Sequence, residues 1–275
     1  MKSGAQNDVN RGAKSGGLDS GENLESSAIL DSATLDSRAT NSGAIQRTKL
    51  KMCGLWREED IIIANELRPD FIGFVFAKSP RQVSIESARA LKSKLDKNIK
   101  AVGVFVVQND DMQNNDELGN DALAQIAQIA QEGIIDIIQL HDTRASKATR
   151  EARIHALRKL TSAPIIKAIS VRDSQSLLDE MDSSAQCLLL DNAHGGSGER
   201  FSWEHITQAR QNGFNRAFFL AGGINAQNLK EALKLAPFGI DLSKGLETEG
   251  KKDAEKMRQI ARIMQEYATN NAPKA

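Results

Sequence analysis

The sequence predicts a (β/α)8 barrel behind a low-complexity N-terminal extension. From Thr48 onward, short apolar runs alternate with longer amphipathic ones. Several of the apolar runs are continuous, as strands covered on both faces of a parallel sheet are. Eight such units in about 225 residues match a closed barrel, which typically needs about 250. A doubly wound nucleotide-binding sheet would carry Gly-x-Gly-x-x-Gly after its first strand, and here only "GLWREE" follows.

The expected strands, in order, are "TKLKMC" (48–53), "DFIGFVF" (70–76), "KAVGVFVV" (100–107), "IIDIIQL" (134–140), "PIIKAI" (164–169), "CLLLD" (187–191), "AFFLAG" (217–222) and "GIDLS" (239–243). A helical pattern follows each. "REEDIIIANEL" has acidic residues in its first turn, where the helix dipole favours them. "SIESARALKSKL" opens on Ser84, a good N-cap. "DALAQIAQIAQEG" ends on Gly133, a good C-cap. "ASKATREARIHALRKL", "RDSQSLLDEM", "SWEHITQARQNG", "NAQNLKEALKLA" and "KDAEKMRQIARIMQEYA" complete the set.

Residues 1–47 read differently. They are rich in Ser, Gly, Asn, Asp and Ala and contain neither an aromatic residue nor proline. Such a segment buries too little apolar surface to offset the entropy of ordering it. The expected organisation is a disordered tail over 1–47 and a catalytic barrel over 48–270. "LDS" recurs in the tail too irregularly for a solenoid.

Composition narrows the function. The 275 residues carry 36 basic and 36 acidic side chains, so no excess of positive charge suggests nucleic acid as a partner. No apolar run approaches the ~20 residues that span a bilayer. The N-terminus lacks the apolar core of a secretory signal. Two cysteines far apart make no disulfide framework. A cytoplasmic protein that handles a small molecule is the expectation. His155, His194 and His205 form no metal-ligand spacing, so no metal is expected.

A barrel places its active site at the C-terminal ends of its strands. Strand one ends in Cys53, strand two runs into Lys78 and Arg81, and strand four ends at His141. Strand five carries Lys167, which fits an anion contact, a Schiff base or a structural ion pair inside the barrel. Strand six ends in Asp191 and feeds "NAHGGSGERFSW". Strands seven and eight end in "AGGIN" and "DLSKG". Small residues at these two strands let an anion approach backbone N–H groups, and barrels often bind phosphate there.

A lone strand-end cysteine reads first as a small buried filler. In a setting that lowers its pKa, it becomes a base or nucleophile. A carboxylic acid kept protonated by burial, as Asp191 would be, supplies the matching acid. Cys187, at the opposite rim, is expected to be inert packing, and no disulfide to Cys53 is expected.

The motifs "KMCG" followed by "REED", "DFIGFVFAKSPRQVS", "IIQLHD", "LLLDNAHGGSGERFSW", "LAGGINAQN" and "IDLSKGLETEGKKD" together resemble the phosphoribosylanthranilate isomerase family. The resemblance runs from about Lys49 to the last helix. It implies a cofactor-free Amadori rearrangement in tryptophan biosynthesis, by a monomer or homodimer. N-(5-phosphoribosyl)anthranilate would become 1-(2-carboxyphenylamino)-1-deoxyribulose 5-phosphate, an aldose–ketose isomerisation. It further implies Asp191 as general acid and Cys53 as general base. Arg81 and Asp241 would contact the substrate. His141, by its place at the end of strand four, is read as a substrate contact, a hydrogen-bonding support behind one, or a structural histidine. Gly222, Gly223, Ser243 and Gly245 would line the phosphate site, and Gly196 and Gly198 a lid loop.

This chain departs from the family in reading Ser243-Lys244-Gly245 where Ser-Ser-Gly is usual, and in a long polar segment after strand three. The rivals are the histidine-pathway Amadori isomerase and a non-catalytic phosphate-binding barrel. The first uses two aspartates, one where Cys53 stands. The second predicts loss of Cys53, Asp191 or Arg81.

Overall fold

A computed structural model describes residues 47–107, 120–142, 145–192 and 201–271. All of the expected tail but Arg47, together with Gly196, Gly198, His194 and most of the long segment after strand three, lies outside these residues. The strands are β1 (Lys49–Cys53), β2 (Phe71–Val75), β3 (Lys100–Val106), β4 (Ile137–His141), β5 (Ile165–Ser170), β6 (Cys187–Asp191), β7 (Phe218–Leu220) and β8 (Gly239–Leu242). They pair in sequence order, all parallel, and β1 closes the barrel on β8. The helices are α1 (Glu58–Leu67), α2 (Ile85–Lys92), α3 (Asn120–Gln131), α4 (Lys147–Leu160), α5 (Ser174–Leu178), α6 (Glu204–Gln211), α7 (Leu229–Lys234) and α8 (Ala254–Asn270). A two-stranded hairpin, β9 (Glu247–Thr248) and β10 (Lys251–Lys252), follows β8 after a single 3-10 turn (Lys244–Leu246).

Strand alternation sorts the core into two shells. Leu50, Met52, Ile72, Phe74, Ile138, Leu140, Leu188, Leu190, Ile240 and Leu242 face outward and pack under the helices. Phe71, Val102, Ile137, Ile166, Cys187, Leu189 and Phe219 face inward and fill the barrel. Both shells are apolar, which is why the strands read as continuous apolar runs. Trp203 and Phe201 join the outer shell beside α6.

The expected caps form. Ser84 Oγ accepts from Ser87 N at 3.1 Å, and Gly133 takes φ 69° just past α3. The ends of some elements shift. The α7 pattern was expected to begin at Asn225, but the helix starts at Leu229. Asn225 Oδ1 accepts from the backbone N of Gln227 and Asn228, and Asn228 Nδ2 donates to Gly223 O at 2.9 Å. The short amides thus bond the backbone locally instead of joining the helix, and they brace the loop after β7.

Lys167 is the largest surprise of orientation. It faces the helices, 2% exposed, with Nζ 2.5 Å from Glu180 Oε2 and 2.7 Å from Glu151 Oε1. Of the three expected roles the structural ion pair is the one formed, outside the barrel lumen. Burial pushes the Glu151 carboxyl up. Hydrogen bonds from Lys167, Ser184 and Ser183 outweigh it and hold the carboxyl at about 2. Removing one partner of a buried pair costs about 3–5 kcal/mol. Lys167→Met is therefore expected to lower unfolding stability by about that amount in urea titration. A loss under about 1 kcal/mol would mean that Arg150, 3.2 Å from Glu180, carries the pairing instead.

Candidate active site

The C-terminal rim holds a cleft of about 430 Å³. Among its lining residues are Arg81, Asp191, Gly222, Gly223, Asp241, Ser243 and Gly245. Seven of the residues singled out from the sequence thus share one wall. Cys53 and His141 are not on that wall but face the barrel interior beside it.

Cys53 ends β1 and is 7% exposed. Its register partner on β2 is Gly73, and a Cβ there would lie 2.7 Å from Cys53 Sγ. The missing side chain is what gives the thiol room. The next residue, Gly54, takes φ 78°, and a Cβ on it would meet Arg81 Cδ at 2.8 Å. Burial pushes the Cys53 thiol up; Lys51 pulls it down, Asp241 pushes it up and Lys252 pulls it down, leaving it above its ordinary value.

Asp191 ends β6, across the barrel from β1. Its Oδ1 accepts from Asn192 N at 2.8 Å. Burial pushes its carboxyl up; the Asn192 N–H pulls down and the Asp241 carboxylate pushes up further, so the net shift is upward. Asp241, on β8, is 9% exposed and accepts from Lys51 Nζ at 2.9 Å. His141 ends β4 beside Gln139, whose amide nitrogen lies 2.7 Å from its Nε2. Burial, reinforced by Lys51, pulls the His141 imidazole down to about 4, so it is neutral near pH 7.

Arg81 is held from the far side. Its Nη1 donates to Ser243 Oγ at 3.0 Å and to Glu247 Oε1 at 2.9 Å. Glu247 also pairs with Lys252 Nζ at 2.5 Å, and Lys252 donates to Ser243 O at 3.1 Å. The β9–β10 hairpin therefore clamps the loop after β2 to the loop after β8. Gly222 and Gly223 take φ 81° and 65°, a conformation glycine adopts without strain. A Cβ on Gly245 would run into the Ile224 carbonyl, so the two glycine loops touch backbone to backbone. Lys244 is exposed at the cleft edge, and Lys256 and Gln259 reach the same cleft from α8.

Sequence reasoning missed Lys51, Glu247 and Lys252. Lys51 was findable, because in a strand residues i and i+2 share a face and Cys53 was already suspected. Glu247 and Lys252 carried no such signal. Cys187 is buried among inward-facing core residues, and burial pushes its thiol up to about 12. Both cysteines are free. Among the described residues no group of His, Cys, Asp and Glu is placed to hold a metal, and no helix is long and apolar enough to cross a membrane.

Comparison with known proteins decides the family. Residues 50–262 match the profile described as N-(5'phosphoribosyl)anthranilate (PRA) isomerase. The chain belongs to that family. A relative from Thermoanaerobacter sp. (strain X514), named N-(5'-phosphoribosyl)anthranilate isomerase, is 38% identical over 217 residues, which cover 76% of this chain and 94% of the relative. The crystal structure of phosphoribosyl anthranilate isomerase from Thermus thermophilus superposes with a TM-score of 0.66 at 30% identity, covering 80% of this chain and 100% of that one. A further family structure, at TM-score 0.62 and 26% identity, covers 80% of this chain and 99% of its own. It is described as a complex with reduced 1-(o-carboxyphenylamino)-1-deoxyribulose 5-phosphate.

Proposed function

We propose that this chain isomerises N-(5-phosphoribosyl)anthranilate to 1-(2-carboxyphenylamino)-1-deoxyribulose 5-phosphate, the Amadori step of tryptophan biosynthesis. Family membership supports the reaction. One observation carries the assignment to this site: an acid and a base candidate end β6 and β1, and the cleft beside them runs from Asp191 and Asp241 to two touching glycine loops.

In this reading Asp191 donates its proton to the furanose ring oxygen and opens the sugar to a Schiff base. The upward push on its carboxyl keeps that proton available. Cys53, as thiolate, takes the C2′ proton, and the resulting enolamine tautomerises to the ketone. Arg81 binds the anthranilate carboxylate through Nε and Nη2, since Ser243 and Glu247 occupy Nη1. Gly222, Gly223, Ser243 and Gly245 offer backbone and hydroxyl donors to the phosphate, and Lys244 adds charge at its edge. Asp241 and His141 act on the substrate side of the lumen, His141 as a neutral imidazole. The protein works as a monomer or homodimer in the cytoplasm.

The test is turnover by the purified full chain. Phosphoribosylanthranilate is generated in situ and consumption is followed by anthranilate fluorescence. Turnover above the spontaneous rate is expected. An inactive chain that instead isomerises the histidine-pathway intermediate would overturn the substrate assignment. Inactivity on both would leave only a phosphate-binding barrel.

A further inference from the structure

We propose that Lys51 is a positioning residue that compensates the negative charge on Cys53 during proton abstraction, with Asp241 fixing Lys51 for that task. The inference rests on the reading of Cys53 as base. Lys51 sits two residues before Cys53 on β1, on the same inward face, and is completely buried. Its only ion-pair partner among the described residues is Asp241, at 2.9 Å. A buried ammonium is costly, and a purely structural pair could be replaced by apolar residues at little loss. An ammonium held beside a thiol has a chemical use.

The surrounding charges fit that use. Cys53 faces Lys51 from β1, Asp241 from β8 and Lys252 from β10. Arg81 crosses Gly54 beside it. The Asp191 and His141 side chains on β6 and β4 also feel Lys51. Asp241 pairs with Lys51, while Glu247 is shared between Arg81 and Lys252. With Asp191 protonated and Cys53 a thiol, these cations outnumber these carboxylates by one. A thiolate closes the balance. Of the cations, Lys51 is the one that contacts neither of the loops meant for substrate carboxylate and phosphate, so its charge stays available for the base.

The consequence for rate follows from two protonation states. The active form needs the Cys53 thiolate together with the Asp191 acid. Both groups are pushed up, and Cys53 starts far higher, so only a minor fraction is active. Between the two pKa values that fraction is constant, equal to the ratio of the two acid constants. Its acid limb then reports Asp191 and its alkaline limb Cys53. Each pH unit by which Cys53 rises moves the alkaline limb up one unit and lowers the plateau about tenfold, partly offset by the greater basicity of the thiolate.

The experiment uses the full chain carrying Cys187→Ala, so that Cys53 is the only thiol. Thiolate ultraviolet absorbance is titrated alongside the pH profile of kcat/KM. Lys51→Met is expected to raise the Cys53 titration by about one unit or more. It should raise the alkaline limb equally, move the acid limb less, and lower kcat more than it raises KM. Lys51→Arg, which keeps the charge, is expected to restore much of the loss. If Lys51→Met does not fold, Lys51→Met/Asp241→Asn is compared with Asp241→Asn, and the same upward shift is expected. A Cys53 titration unmoved by removing Lys51 overturns the proposal, even if activity falls. Full turnover by Cys53→Ala would instead sink the base assignment, and the titration alone would still report whether Lys51 stabilises the thiolate.

Discussion

Cys53→Ala is expected to lower kcat by about 100-fold or more, the range that a positioned general base supplies, with little change in KM. Cys53 is off the cleft wall that would hold the phosphate and the carboxylate, so truncating its side chain removes the base and leaves those contacts intact. A cavity cost exists too, because the thiol is buried against Gly73. It is about 1 kcal/mol for so small a group, far from unfolding a barrel with two apolar shells. Circular dichroism and urea unfolding separate the two effects. The residual activity should lose its alkaline-side dependence on the thiol and follow only the protonated fraction of Asp191, falling as pH rises. Unchanged turnover in a folded variant would return Cys53 to packing.

Asp191→Asn should cost kcat by a similar factor, about 100-fold or more, with the opposite pH signature. The amide keeps the shape and the hydrogen bond from Asn192 but has no proton to give. Wild-type kcat/KM should rise with pH to a break set by Asp191, hold level, and fall beyond a break set by Cys53. Without the acid, only the thiolate fraction matters, so residual activity should rise through the Cys53 titration and level off instead of falling. Because burial pushes the Asp191 carboxyl up, the acid-side break of the wild type should lie above the usual aspartate value. A variant that keeps the bell-shaped profile would show that the acid is another group, Asp241 being the nearest alternative.

Much of the barrel was legible because its causes are local. A strand covered by helices outside and packed within must be apolar on both faces. "DFIGFVF" and "CLLLD" carry that mark without any knowledge of their neighbours. Cys53, Asp191 and the glycine loops were legible for a related reason: once the strands are assigned, the chain direction alone sends their ends to one rim. Element ends were less legible. The amides of Asn225 and Asn228 drew backbone donors into a local loop, and the helical pattern around them gave no sign of it.

The rest depended on which faces and loops meet across the barrel. Lys167 was a plausible active-site lysine until strand parity turned it toward Glu151 and Glu180 on the helix side. The pairing of Lys51 with Asp241 joins residues 190 positions apart and exists only because β1 closes on β8. Glu247 and Lys252 carry no local signal of a role; they reach Arg81 and Ser243 only because the hairpin after β8 folds over them. The sequence by itself determined the order of elements, the fold class and the reactive side chains at the strand ends, since apolar periodicity and chain direction act over short spans. Tertiary structure alone decided which charges face the thiol, because electrostatic neighbours are set by barrel closure and not by distance along the chain.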